Sequence, residues 1–241
     1  MKSLQKMKKD IFVFPFDQET DFPNVGYIRG KERTMLVDAG CGSKTTAQIH
    51  KQLAENDLPL PEMIAVTHYH WDHSFGCAYM DAVSVGSEYT NGKLTELKEM
   101  DITVVDDIIS DDLMPEFCRE HILMEFPDVS KIKIKTLDRV ILEPEEINLG
   151  EKTVVLIPVV SSHSEGSLLV YVKEDRVLFI GDADCGYIVG TEFVDDFAKL
   201  EEFGKVIESI DCDYIVEGHA EIYTKKEFMI QLESRFAEET K

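Results

Sequence analysis

Four side chains that can bind metal ions fall within six residues of this 241-residue chain, in the stretch His68-Tyr69-His70-Trp71-Asp72-His73. The stretch directly follows residues 63–66, a short apolar run typical of a buried strand. Side chains at positions i and i+2 of an extended segment point the same way, so His68 and His70 are expected to bind one ion together. Asp72 and His73 follow where the chain turns, and we expect them to face a second ion. The spacing therefore predicts a metal site at the carboxyl end of a strand.

Composition limits the class of protein. With 44% hydrophobic residues, residues 1–241 can form a single domain with a large core. No apolar run approaches the ~18 residues of a membrane helix. The basic stretch 1–10 lacks the apolar centre of a signal peptide, so the cytoplasm is the expected location.

Net charge and cysteine spacing limit which partners and which cellular location are expected for the chain. A formal net charge of -22 repels phosphate backbones and disfavours nucleic acid, which leaves a small molecule as the expected substrate. The 5 cysteines are scattered without a Cys-x-x-Cys pair, which is typical of reduced thiols in the cytoplasm.

Residue patterns predict alternating strands and helices. In the first half we expect strands at 11–14, 25–29, 34–37, 63–66 and 83–85, and helices at 43–56 and 87–100. In the second half we expect strands at 139–142, 153–159, 168–172, 177–180 and 214–216, and helices at 196–209 and 225–236. Strands precede helices in each half, and the acidic stretch 143–146 is interpreted as solvated surface.

Residues 101–136 are irregular and are interpreted as an inserted cap. Within them we expect a strand at 102–105 and a short helix that starts around Pro115. Such a segment can form the wall of a substrate pocket, or it can form the contact of a homodimer. Its aromatic residues and methionines favour a neutral or apolar substrate part, although they lie beside acidic residues: Asp106, Asp107, Asp111 and Asp112.

Three more candidate ligands occupy loops at strand ends. His163 lies in a turn of small residues, where the backbone can approach an ion closely. Asp182 and His219 each follow a predicted strand and a glycine, namely Gly181 and Gly218. The two remaining histidines do not follow strands, and we expect them to be ordinary surface or core residues: His50 and His121.

With these residues in place, the chain resembles the metallo-β-lactamase fold superfamily. That family is marked by His-x-His-x-Asp-His, then by a His, an Asp and a His at later strand ends. Residues 36–40, Gly181-Asp182-Ala183 and Gly218-His219 resemble three further motifs of the family. The resemblance implies an α/β fold in the form of a four-layer αβ/βα sandwich.

The resemblance also implies a ligand set for two ions. One ion would be bound by His68, His70 and His163, and the other by Asp72, His73 and His219. Asp182 would bridge the two. The third motif departs from the family pattern, because two serines stand where Pro-Gly often precedes the histidine. This departure affects the stiffness of the loop more than the ligands.

The expected function is hydrolysis. Two divalent ions can share a water molecule and lower its pKa toward neutrality, and the resulting hydroxide attacks an electrophilic carbon or phosphorus. Zinc is the expected metal, with iron or manganese as alternatives. The expected substrate is a small ester, thioester or lactone.

Several side chains near the ligands have predicted roles. Asp72 is the expected catalytic residue, because it would orient the hydroxide and relay a proton. Asp38 is a candidate to orient a ligand imidazole, although a carboxylate that caps the turn is an equal alternative. Tyr187 is a candidate donor to the oxyanion. Tyr69 and Trp71 are expected either in the pocket wall or in the core. Cys185 is expected either in the pocket wall or as a bystander beyond the ligands, without a catalytic role.

Three other functions remain open. A phosphodiesterase would need cations near the metals, for which the candidates are Arg119, Lys131, Lys133 and Lys135. An iron-dependent oxidoreductase could use the same ligands, although His70 argues against the oxygen-reducing branch of the family, where a glutamate is usual. A purely structural zinc site is usually a closed set of four ligands, whereas seven candidates leave room for water.

Overall fold

The computed structural model describes residues 1–110 and 113–239. Asp111 and Asp112, which belong to the acidic group predicted in the insertion, lie outside the described residues.

Two sheets organise the described chain. The first sheet has seven strands in the order of the sequence: β1 Gln5–Lys8, β2 Ile11–Phe14, β3 Val25–Arg29, β4 Thr34–Val37, β5 Met63–Ala65, β6 Val83–Ser87 and β7 Arg139–Ile141. The second half contains β8 Glu145–Asn148, β9 Thr153–Val159, β10 Ser167–Val172, β11 Val177–Gly181, β12 Tyr187–Val189, β13 Glu192–Val194, β14 Tyr214–Glu217 and β15 Tyr223–Thr224. The second sheet has the order β15-β14-β11-β10-β9-β8, and β12 and β13 form a separate hairpin.

Within residues 1–110 and 113–239, six α-helices accompany the sheets: α1 Ser43–Glu55, α2 Trp71–Ser74, α3 Glu88–Glu99, α4 Arg119–Glu125, α5 Phe197–Ser209 and α6 Lys225–Glu239. Short 3-10 turns lie at Phe75–Tyr79, Val105–Asp107, Glu116–Cys118 and Val129–Lys131. Within the described chain, no helix is long and apolar enough to span a bilayer.

The period of two along the strands produces the layers. In β4, Met35 and Val37 are buried in the core between the two sheets, whereas Leu36 is buried in the core under α1, α3 and α4. In β11, Phe179 lies between the sheets and Leu178 packs in the core with α5 and α6. Successive side chains of a strand point to opposite faces, so each sheet contributes to two cores. The order is helices, sheet, sheet, helices, which confirms the four-layer αβ/βα sandwich.

Strand direction gathers the predicted ligands at one edge. β4, β5 and β6 are parallel neighbours, and β11 is parallel to β14, so their carboxyl ends meet. β9 runs the same way as β11 because both are antiparallel to β10. The loops after β5, β9, β11 and β14 therefore reach one edge of the sandwich, as is usual for ligand sites in α/β sheets.

Some expected elements differ. The strand predicted at 102–105 is wrong: a 3-10 turn forms at Val105–Asp107 instead, because Asp107 Oδ2 accepts hydrogen bonds from the backbone of Thr103 and Val104. None of the residues 143–146 is buried, as expected of surface, but the last two of them begin β8, an edge strand in which only Ile147 is buried. Strands β1, β12, β13 and β15 were not predicted.

Candidate metal centre

The His68 to His73 stretch folds into a turn and the start of α2. His68 and His70 belong to the turn after β5, and Asp72 and His73 lie in α2. All four side chains are buried, with His73 at 0% exposure and His70 at 7%. Four polar side chains buried this deeply require partners.

Three histidines form the first group of ligand atoms, here called the three-histidine side: His68, His70 and His163. His70 Nδ1 lies 3.0 Å from His68 Nε2 and 3.0 Å from His163 Nε2. Two nitrogen ligands of a tetrahedral zinc ion lie ~3.3 Å apart, given a bond length of about 2.0–2.1 Å. The spacing fits three imidazoles around one ion.

Asp72, His73 and His219 form the second group, here called the carboxylate side. Asp72 Oδ2 lies 3.0 Å from His73 Nε2 and 2.9 Å from His219 Nε2. The three ligand atoms converge on one point, as they do on the other side.

Asp182 stands between the two groups. Its Oδ2 atom lies 3.4 Å from His73 Nε2, 3.7 Å from His219 Nε2 and 3.9 Å from His163 Nε2. One carboxylate oxygen thus faces nitrogens of both sides. This position is the one expected of a bridging ligand.

Two buried ligand atoms have no hydrogen-bond partner among the described residues: His73 Nε2 and Asp182 Oδ1. Burial of an unpartnered polar atom costs free energy, so such atoms in a folded protein need an explanation. Bound ions would satisfy them, and a set of five imidazoles and two carboxylates suits zinc, iron or manganese. The residues present therefore fit the metal ions that the fold implies.

Outer hydrogen bonds select the nitrogen that each imidazole presents. Asp38 Oδ2 lies 2.8 Å from His73 Nδ1, and the carbonyl of Gly186 accepts from His163 Nδ1 at 3.0 Å. Both contacts leave Nε2 for an ion, which is how outer groups orient ligands in metal sites. Asp38 also accepts hydrogen bonds from the backbone and the hydroxyl of Thr67, so it orients an imidazole and caps the turn at once.

The glycines before Asp182 and His219 permit the close approach of the loops. Gly181 has a φ of 55°, in the left-handed region, and a Cβ there would lie 2.4 Å from Thr67 Oγ1. A Cβ on Gly218 would lie 1.9 Å from Asp182 Oδ1. A larger side chain at Gly218 would displace the Asp182 carboxylate, and one at Gly181 would displace Thr67.

The histidines of the two sides differ in their affinity for protons. Burial lowers the pKa of His70 to about 3, with a further contribution from His163. Burial also lowers the pKa values of His68 and His163. On the other side burial opposes protonation of His219, but the Asp182 and Asp72 carboxylates outweigh it and raise the pKa to about 9.

The two aspartates of the centre stay ionised. Burial would raise the pKa of Asp72, but the adjacent His73 and His219 outweigh it, so the pKa lies well below its usual range. The pKa of Asp182 is depressed in the same way by His73 and His219, against the effect of burial. Both oxygens are therefore available to a cation at neutral pH.

Two cavities meet at His70, His163 and Ile188. One has a volume of about 310 Å³ and a wall that is largely apolar, formed in part by Trp71, Pro115, Phe117 and Phe193. We call it the apolar cavity. The other has a volume of about 470 Å³ and a wall of hydroxyl and charged groups, and we call it the polar cavity. A substrate held over the ligands can extend into both.

The structure separates the remaining candidates. Tyr187 and Tyr69 line the polar cavity, whereas Trp71 and Cys185 line the apolar one. Tyr69 and Trp71 are also buried in the core. His50 lies on α1 and His121 on α4, and neither belongs to a group of converging ligand atoms.

Other residues of the site were not predicted. Thr67 precedes the first motif and bonds Asp38, so its position beside the histidines was an available signal. Phe193 stacks at 24° on His163, and its ring lies 5.7 Å from that of Phe117. No local pattern in the sequence indicates these aromatic contacts.

Comparison with known proteins places the fold. The family model described as the metallo-beta-lactamase superfamily matches residues 19–219. A metallo-beta-lactamase from Cronobacter sakazakii, a motif mutant, superposes with a TM-score of 0.71 at 14% identity, over 100% of this chain and 97% of that one. One from Pontibacter korlensis has a TM-score of 0.62 at 14% identity, over 96% and 98% of the chains.

Curated relatives are similar over part of their length. Acyl-coenzyme A thioesterase MBLAC2 of Gallus gallus is 28% identical over 167 residues, which cover 66% of this chain and 56% of the relative. The protein of that name from Homo sapiens is 25% identical over 173 residues, or 66% of this chain and 57% of the relative. This chain thus matches little more than half the length of either.

Proposed function

The chain belongs to the metallo-beta-lactamase superfamily, and on that premise we propose that it is a metal-dependent hydrolase of thioesters with an apolar acyl group. The observation that carries the proposal is the convergence of seven potential ligand side chains, five of which line the apolar cavity. The similarity to acyl-coenzyme A thioesterases supports the choice of a thioester.

We propose two ligand sets, supported by two of the three groups of neighbouring ligand atoms. His68, His70 and His163 would hold one divalent ion, and Asp72, His73 and His219 the other, with Asp182 shared. Zinc is the metal we propose, since imidazole suits it and the site would remain open to water. Bound there, two such ions would lower the pKa of a water molecule and polarise the carbonyl oxygen of a substrate.

The chain's own residues would carry the proton and the orientation. Asp72 stays ionised, so it can accept a proton at Oδ2 and hold a water molecule in place. His73 is fixed by Asp38 and keeps its imidazole aimed at the centre. Tyr187 is 44% exposed in the wall of the polar cavity, from which we propose that its hydroxyl donates to the carbonyl oxygen.

The apolar cavity suits an acyl chain. Pro115 and Phe117 come from the segment 101–136 and Phe193 from the β12–β13 hairpin, so two separate parts of the chain form its walls. We propose this segment as a wall of the pocket within a single domain. Burial of each methylene contributes about 0.8 kcal/mol, so a longer chain would bind more tightly until the cavity is full.

The positions of the four candidate cations disfavour a phosphodiester substrate. Arg119 pairs with Asp106 and Glu116, Lys135 with Asp138, and Lys131 lies 4.0 Å from Asp128. Lys133 lies over the ring of Tyr79. Within the described chain, none of the four lines either cavity.

The proposal is tested with a panel of substrates and a series of acyl lengths. Metal-loaded protein should release thiol from acyl thioesters and should leave phosphodiesters intact, without taking up oxygen. Phe193→Ala should lower kcat/KM for a long acyl chain by about tenfold more than for a short one.

Val189→Ala is the matched control for that variant. Val189 is on the same hairpin and 50% exposed, but it lines neither cavity. Turnover of phosphodiesters alone, or iron with oxygen uptake, would overturn the proposal.

A further inference from the structure

The lining of the polar cavity indicates which leaving group the substrate has. This cavity adjoins the candidate ligands His70 and His163, which also line the apolar cavity. Its volume of about 470 Å³ is that of a small-molecule pocket, which typically measures about 300–1,000 Å³. If the acyl group occupies the apolar cavity, the group that leaves with the thiol must extend into the polar one.

The charged side chains that line this cavity disfavour the binding of anions. Lys199 is the one cationic side chain among its described lining residues, and it is already paired. Its Nζ atom bonds Glu165 and lies 3.6 Å from Asp196 Oδ2. Two carboxylates therefore face one ammonium, and the cavity carries an excess of negative charge. The chain as a whole adds a formal charge of -22.

Neutral hydrogen-bonding groups complete the wall. The hydroxyl of Tyr89 makes no hydrogen bond to other described residues, so it is available to an amide group. Ser162 Oγ accepts from the backbone of Asp196 at 2.7 Å and keeps its own hydrogen to donate, whereas Ser161 Oγ bonds Ser167 at 2.9 Å. The free groups thus suit an uncharged polar ligand.

We propose that the polar cavity is the subsite for the leaving group and that it selects an uncharged amide-bearing thiol arm over a polyanionic one. The inference rests on the proposed thioesterase function. For an acyl ester of coenzyme A, the cavity would bind the amide arm beside the sulfur, and its lining would provide no unpaired side-chain cation for the phosphates. The phosphates would instead meet Glu165 and the acidic surface.

The test compares two thioesters with the same octanoyl group, one of coenzyme A and one of pantetheine, on the metal-loaded chain. At low salt, kcat/KM for the pantetheine ester should equal or exceed that for the coenzyme A ester. The difference should shrink as salt rises from about 0.02 M to about 0.5 M, because salt screens the repulsion. A clear preference for the coenzyme A ester at low salt would overturn the inference.

A charge reversal locates the effect in the cavity. Glu165→Lys releases Lys199 and adds a second cation, so it should raise kcat/KM of the coenzyme A ester relative to the pantetheine ester by about three- to tenfold. Glu201→Lys makes the same change of net charge on α5, where Glu201 pairs with Lys205 outside the cavity. It should change the ratio by less than about twofold. Equal effects of the two variants would overturn the inference.

The two proposals fail in different ways. If the chain hydrolyses neither ester, the proposed function fails and this inference with it. If it hydrolyses both and prefers the coenzyme A ester, the inference alone fails.

Discussion

The two sides of the candidate metal centre have equal numbers of proposed ligands and opposite electrostatics. On the three-histidine side, burial lowers the pKa of each imidazole, so the nitrogens are neutral before any ion arrives. On the carboxylate side, Asp72 and Asp182 raise the pKa values of His73 and His219, so protons occupy the place of a cation. One side is therefore ready to bind an ion, and the other must first release protons.

This difference shows that similar residues at one edge of a sandwich can form two sites whose histidines differ in proton affinity. Both sides draw on loops at the carboxyl ends of strands. What separates them is the placement of carboxylates, since Asp182 Oδ2 lies 3.4 Å from His73 but 3.9 Å from His163. The following variants and conditions act on this contrast.

Asp182→Asn should have the largest effect, because it removes the carboxylate that both sides share. We expect hydrolysis to fall by on the order of a thousandfold and the metal content to fall below two ions per chain. Asp184→Asn is the control two residues away, where the side chain faces Arg235 instead of the ligands. Full activity and two ions in Asp182→Asn would contradict the shared role.

His219→Ala should affect one side only. It removes a ligand of the carboxylate side and leaves His68, His70 and His163 in place, so we expect one ion to remain and the rate to fall by about a hundredfold. His163→Ala should show the reverse pattern, with the ion of the three-histidine side lost. Loss of both ions from His219→Ala would show that the sides do not bind independently.

A change of pH should affect metal binding on the two sides differently, without any substitution. His219 is protonated below its pKa of about 9, so binding on the carboxylate side should weaken by about tenfold per unit as the pH falls from 9. Binding on the three-histidine side should stay constant at neutral pH, because the pKa of His70 is about 3. Calorimetry in buffers of different ionisation enthalpy measures the protons released. Equal release for both ions would contradict the contrast.

The free energy of unfolding of the metal-free protein should also depend on the protonation of His219. The raised pKa of His219 means that its ion pairs stabilise the fold fully below the ordinary pKa of 6.5. That contribution should be lost as the pH rises through about 9. Thermal unfolding of metal-stripped protein between these values, compared with His219→Ala, measures the contribution.

Asp38→Asn should have the smallest effect. The variant keeps the shape of the side chain but weakens the bond that orients His73, so metal affinity on the carboxylate side should fall by about 10- to 100-fold. The three-histidine side should be unchanged, since the carbonyl of Gly186 holds His163 there. An equal loss on both sides would place the effect in the turn at Thr67 instead.

Much of the candidate site could be predicted from the sequence, because its chemistry depends on which residue types follow the strands. His68 and His70 follow a buried strand, and Gly181 and Gly218 signal the loops that carry Asp182 and His219. The resemblance to the family implied the four layers, and the alternation of buried residues along the strands is their physical cause. Resemblance to a family grouped the seven candidate ligands, and the structure brings their side chains together at one edge of the sandwich.

Other features depend on contacts between distant residues. Edge strand β8 escaped prediction because a strand with one buried residue, Ile147, lacks a hydrophobic period. The ring contact of Phe117 with Phe193 joins two segments that are remote in sequence. The contrast between the two sides also depends on ångström distances to carboxylates, which spacing along the chain does not encode.

Titration of metal-stripped protein with zinc, while thiol release from an octanoyl thioester is followed, tests the central claim most directly. We predict negligible activity without metal and a maximum at two ions per chain, with most of the activity gained with the second ion. Full activity in the stripped protein, or a maximum at a single ion, would contradict the account of a two-ion hydrolase.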